Sequence, residues 1–139
     1  MNPSVLPDIS NIELQFHDSE ISCVAAVNGD VHVAFSAASA RRSAGAPGGD
    51  ARHGYVQAVE FCLHQAVWSG HLNECVGGLS DGELKVDGAA IPWVSLPFQG
   101  VGNVALTLAF ANGALLCATA TQVRVTQRGQ PQFVENFAC

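Results

Sequence analysis

Four polar side chains occupy even-numbered positions in two extended runs, His32 and Ser36 in the first and Glu60 and His64 in the second. Alternate side chains of a strand point to one face, so each pair shares a face. Histidine, carboxylate and hydroxyl together are the parts of an acid–base site. Glu60 and His64, however, stand roughly 13 Å apart along one strand, too far for Glu60 to orient His64. The four act together only if their strands are neighbours, and the plainer expectation is a solvated outer face.

Cys62 shares that face with His64. A nucleophilic thiol needs an acidifying neighbour and an orienting third group, and no Gly-x-Ser-x-Gly or glycine-rich cysteine turn accompanies this pair. A buried cysteine beside a surface histidine is the expectation. Among the five histidines, no H-x-H, H-x3-H or H-E-x-x-H spacing brings two imidazoles together. A nonlocal site of His32, His64 and His71 is conceivable, but no metal and no cofactor are expected. The glycine pairs are not followed by amphipathic helices, so none reads as a phosphate cradle. Trp68 and Trp93 each end an extended run beside a loop. Such aromatics either close a core, the expectation here, or stack on a ligand or partner.

The elements that position these residues are strands. Ile12, Leu14 and Phe16 alternate with Glu13, Gln15 and His17, the mark of a half-exposed strand. The runs 21–27 and 31–37 flank Asn28-Gly29-Asp30 and predict a hairpin. A three-residue loop there sets Val27 opposite Val31 and Cys23 opposite Phe35, apolar against apolar. Tyr55–Trp68 is long for a strand and calls for a bend or bulge. Residues 103–110 and 115–123 flank Asn112-Gly113 and predict a second hairpin. A two-residue loop in that hairpin pairs Ala109 with Leu116, Thr107 with Ala118 and Ala105 with Ala120. Short strands are expected at 82–88 and 132–137, and an edge or irregular crossing at 91–98. The whole is an all-β chain, an antiparallel barrel or sandwich of about eight to ten hairpin-connected strands, in one domain spanning 1–139 with a mobile Gly/Ala/Pro-rich loop at 40–54.

Residues 88–123 carry no charge, yet their prolines and glycines interrupt them too often for a membrane span. In the second hairpin both faces look dry, one with large apolar groups and one rich in alanine. A face open to water normally carries charge or threonine, so three covers are open: a second sheet or loop of the same chain, a symmetric partner, or the lining of a ligand cavity.

The 139-residue chain has a net charge of −6, a charged fraction of 13% and a hydrophobic fraction of 48%. The acidic balance argues against nucleic acid, and Arg41, Arg42 and Arg52 read as a solvated turn. The first eight residues do not resemble a secretory leader, so the expected location is cytoplasmic. Five cysteines without a C-x-x-C pair suit neither a disulfide framework nor a zinc ribbon. Cys23, Cys62 and Cys117 lie in apolar strand patterns and are expected to pack as small hydrophobes.

The segments Gly82-Glu83-Leu84-Lys85-Val86-Asp87-Gly88 and Leu108-Ala109-Phe110-Ala111-Asn112-Gly113-Ala114-Leu115 resemble a style found in small bacterial β-rich proteins of unknown function. Proteins of this kind occur as integron cassette proteins, and the resemblance covers residues 80–137. It implies a stand-alone β-rich domain and assigns no functional residue. The functional expectation is a non-enzymatic binding or interaction module, a homodimer through its charge-poor face. The alternative is a small-molecule enzyme, or a carrier of a small apolar ligand, with a pocket at a barrel mouth using His32, Glu60 and His64.

Overall fold

The computed structural model describes residues 12–42, 54–129 and 132–134. They form ten β-strands: β1 (Ile12–Val27), β2 (Asp30–Arg42), β3 (Gly54–His64), β4 (Val67–Ser69), β5 (Gly77–Val86), β6 (Ala89–Ala90), β7 (Val94–Ser95), β8 (Phe98–Phe110), β9 (Leu115–Gln127) and β10 (Gln132–Val134). A single 3-10 turn, Leu72–Glu74, is the sole helical element among the described residues. No helix among them is long and apolar enough to cross a membrane.

Two three-stranded meanders make the barrel. Strands lie in the order β3-β2-β1-β5-β8-β9, and β9 returns to pair with β3, so six antiparallel strands close on themselves. Closure gives every wall strand a neighbour on both sides, which an open sandwich does not. Six strands enclose too narrow a space for anything but side chains. Phe16, Phe35 and Phe61 fill the middle, with ring centroids 5.1 Å apart for Phe35 and Phe61 and 5.7 Å for Phe16 and Phe61. Around them Leu14, Val33, Leu63, Leu84, Leu106 and Val123 are fully buried.

Both hairpins adopt a register one residue from the expected one. Asn28 (φ 52°) and Gly29 (φ 84°) make a two-residue loop with Val27 opposite Asp30 and Ala26 opposite Val31. Positive φ at both central residues is the turn whose twist matches the flanking strands. A bulge then shifts the ladder between Ile21↔Phe35 and Cys23↔Ala34, returning Ile21 to the core and leaving Cys23 exposed. The second hairpin has the three-residue loop instead. Phe110 O accepts the Gly113 N–H at 3.0 Å, Phe110 N–H donates to Ala114 O at 2.9 Å, and Gly113 takes φ 96°.

Ala109 therefore pairs with Leu115, Thr107 with Cys117 and Ala105 with Thr119. A one-residue slip exchanges a strand's faces. Leu116, Ala118 and Ala120 go inside, while Leu115, Cys117 and Thr119 go outside. This slip buries Leu116 in place of Leu115 and keeps the Thr119 hydroxyl in water, where it loses no hydrogen bonds. Cys117 is thus an exposed residue and not a core hydrophobe, and Cys62 is half-buried. The remaining described cysteine, Cys75, is fully buried after the 3-10 turn.

The long run 55–68 bends at Gln65, whose left-handed φ of 51° separates β3 from β4. Both segments pair with β9. The bend is tied to the first hairpin where Ala66 N–H donates to Gly29 O at 2.8 Å. The expected loop at 40–54 is shorter than its bounds, since β2 continues through Arg42 and β3 starts at Gly54. Residues 43–53, with Arg52, lie outside the described residues, as do 135–137 of the expected last strand.

Candidate functional site

The polar cluster stands on the outer wall where β2, β3 and β9 run side by side. Inward positions on these strands are Val31, Val33, Phe61, Leu63, Val123 and Val125, all buried. The alternate positions must face out. Ladder pairs set His32 opposite Cys62 and Cys62 opposite Arg124, with Glu60 against Thr126 and His64 against Gln122. Continuing Val31↔Leu63 by one step brings Asp30 beside His64.

The two histidines take different carboxylates. His32 Nδ1 lies 2.9 Å from Glu60 Oε2. A carboxylate can only accept, so the proton of that bond sits on Nδ1. Glu60 Oε1 is taken by Arg128. His64 Nδ1 stands 3.3 Å from Asp30 Oδ2, and Asp30 Oδ1 accepts the Gln65 N–H at 3.1 Å. Both carboxylates are therefore engaged at both oxygens. Cys62 lies between these pairs, and its sulfur, an Asp30 oxygen and a His64 nitrogen fall within 4.8 Å of one another. That is the group of metal-ligating donors that converges among the described residues. His71 is not in it, being exposed at the head of the 3-10 turn.

Burial, first, and then the negative charges of Asp30 and Glu60 push the Cys62 thiol above its ordinary range, against a smaller opposite pull from Arg124. A thiol held protonated is a poor nucleophile. Burial likewise raises Cys75. At neutral pH iodoacetamide is expected to modify exposed Cys23 and Cys117 about tenfold faster than Cys62 or Cys75, as read by peptide mass. Equal rates at all four would show that the wall does not shield Cys62.

Of the residues marked from sequence, His32 and Glu60 meet across the β2–β3 ladder, and His64 joins Asp30 instead of Glu60. Ser36 is not part of the cluster. It is exposed, and its hydroxyl donates to Glu20 O on β1 at 3.4 Å. Trp93 is stacked under the Arg41 guanidinium at 3.5 Å, and Arg41 also pairs with Glu13 at 3.2 Å. Arg41 is thus a strand residue holding an aromatic ring and not part of a solvated turn. Trp68 pairs with Ala118 on the β4–β9 ladder and is about one-third exposed.

Two shallow outer grooves, of about 360 and 330 Å3, lie over β5 and β8 and over β8 and β9. Neither is lined by His32, Glu60, His64 or a tryptophan. Asp30, Arg124 and Arg128 complete the cluster without having been marked. The two-residue Asn28-Gly29 loop is the signal for Asp30, since it makes Asp30 the first strand residue on the same face as His32. Compared with family models, with curated proteins and with solved structures, the chain matches none.

Proposed function

We propose that this protein is a non-enzymatic barrel module that self-associates through the outer face of β8, the first half of β9 and β4. The observation that carries this reading is a charge-free wall with large apolar groups in water: Val67 is 71% exposed and Leu115 52% exposed, beside Cys117, Thr119, Ala105 and Thr107. Solvated strand faces normally carry charges, and contiguous apolar surface of this kind marks an interaction site. The partner that fits is a second copy. In a two-fold contact the same patch is buried on both copies, so a patch carrying charge of one sign meets its like. With a net charge of −6, this wall is where two copies can meet without that repulsion.

The non-enzymatic part rests on the polar cluster. Glu60 and Asp30 are each held at both oxygens, and Cys62 is kept as a thiol. The carboxylates that line the groove over β5 and β8, Asp81 and Glu83, are taken by the Gly82 N–H and by Lys85, and no histidine or cysteine stands beside them there.

Sedimentation across a hundredfold dilution tests the reading. A species of twice the chain mass of 14.5 kDa is expected. Val67→Lys and Leu115→Lys, both at exposed positions that leave the barrel interior untouched, are expected to give monomers with unchanged circular dichroism. A wild-type monomer throughout would overturn self-association, and the groove over β8 and β9 would then be screened with small apolar ligands.

A further inference from the structure

We propose that Asp30, Cys62 and His64 form a binding site for a borderline-soft divalent cation of the zinc type, with an open fourth position for water. The site is independent of the self-association face, which lies on β8, the first half of β9 and β4.

Geometry carries the assignment. Two nitrogen or oxygen ligands bound tetrahedrally to zinc at their usual bond lengths stand about 3.3 Å apart. His64 Nδ1 and Asp30 Oδ2 are 3.3 Å apart before any ion is considered. The Cys62 sulfur completes a set in which all donors lie within 4.8 Å of one another. Drawing it to ligand separation takes a shift of about 1 Å, within reach of small side-chain rotations. The donors converge on a point, whereas an acid–base relay would string them along a line.

The backbone holds this arrangement from two sides. Cys62 and His64 are alternate residues on one strand of a closed barrel, so their spacing is set by the strand. Asp30 opens β2 and is fixed through Oδ1 by the Gln65 N–H, which leaves Oδ2 turned to His64. Gln65 itself holds the left-handed φ of 51°, and Ala66 is bonded to Gly29. The corner carrying the three donors is thus braced by main-chain bonds outside the ligand set, the kind of support that orients metal ligands.

The donor set selects the ion. One sulfur, one nitrogen and one oxygen suit zinc or cobalt and not magnesium or calcium, which require oxygen ligands. Three protein ligands with the fourth place left to water is the open pattern of zinc binding, as distinct from the closed four-ligand pattern of structural zinc. On binding, the Cys62 S–H gives its proton to solvent and the sulfur bonds to the ion, while His64 ligates through an unprotonated Nδ1 as the neutral imidazole with its proton on Nε2, any further proton also passing to solvent. Arg124 is the cation across the ladder from Cys62, and it is exposed, so solvent screens its opposition.

Titration of the full chain with Co2+ tests the site. Saturation at one equivalent is expected, with a sulfur-to-cobalt charge-transfer band and the visible bands of a four-coordinate ion, both abolished by Zn2+. Cys62→Ser should remove the charge-transfer band, although four other cysteines remain in the chain. Asp30→Asn and His64→Gln should each weaken binding about tenfold or more, and His71→Gln should leave it unchanged. A second measurement needs no variant: at mildly alkaline pH, Zn2+ should slow alkylation of Cys62 about tenfold while leaving Cys117 as it was. A band that survives Cys62→Ser, or a Cys62 alkylation rate indifferent to Zn2+, overturns the proposal.

Discussion

Replacing Phe61 with alanine is expected to lower the unfolding free energy by about 3–5 kcal/mol, a large fraction of what a small domain has in total. The ring is completely buried, 5.1 Å from Phe35 and 5.7 Å from Phe16. It projects from β3, the strand that joins β2 on one side and closes the barrel against β9 on the other. Closed strands cannot move inward to fill the space, so most of the cavity persists after truncation. Urea unfolding of Phe61→Ala, Phe35→Ala and the double variant measures both the loss and the coupling. The two rings share one contact, so the double variant should lose less than the sum of the single losses. Phe61→Leu, which keeps much of the volume, should lose much less than Phe61→Ala. A Phe61→Ala loss below about 1 kcal/mol would mean that the barrel collapses around the gap, contrary to the rigidity that closure confers.

Gly82→Val is the second large effect, expected to destabilise by about 1–3 kcal/mol or more through overcrowding. Gly82 is half-buried and pairs with Leu108 in the β5–β8 ladder, and a side chain placed on it would point inward towards Leu108 and Phe16. A Cβ at residue 82 would stand 2.7 Å from Phe16 Cβ, 2.8 Å from Phe16 Cγ and 3.1 Å from Leu108 Cδ2. The crowding falls near the seam where β1 and β5 share only the ladder pairs Glu20↔Gly78 and Ile21↔Gly77. Glycine at this position is required by packing and not by backbone conformation. The diagnostic is therefore rescue: Phe16→Ala, harmful alone, should lessen the penalty of Gly82→Val in the double variant. Thermal unfolding of the three proteins reads this directly, and strictly additive losses would show that the two residues do not compete for space.

These two residues also mark where sequence reading reaches its limit. Phe61 was legible as core, because its odd-numbered neighbours Val59 and Leu63 share its face and repeat with period two. Gly82 reads only as the first residue of a short strand at 82–88, yet it lies in the middle of β5, which begins at Gly77. A glycine carries no periodic signal of its own, and the reason for it, the Phe16 ring, lies in a strand more than sixty residues away. The hairpins show the same division. Asn28-Gly29 and Asn112-Gly113 located both turns, but the same dipeptide makes a two-residue loop in one and a three-residue loop in the other. Choosing between them depends on which side chains the closed barrel can accept, and that choice decides whether Cys117 and Thr119 face the core or water.

Local alternation and turn chemistry in the chain by itself determined that it is all-β, where its main hairpins turn, that its interior is large and apolar, and that a long stretch near its end is free of charge. Tertiary structure alone decided that the sheet closes, which register each hairpin takes, and that Asp30, Cys62 and His64 converge on one patch of wall. The physical reason is that alternation reports the two faces of a strand, whereas closure, register and a shared site depend on which strands become neighbours and on the volume available between them.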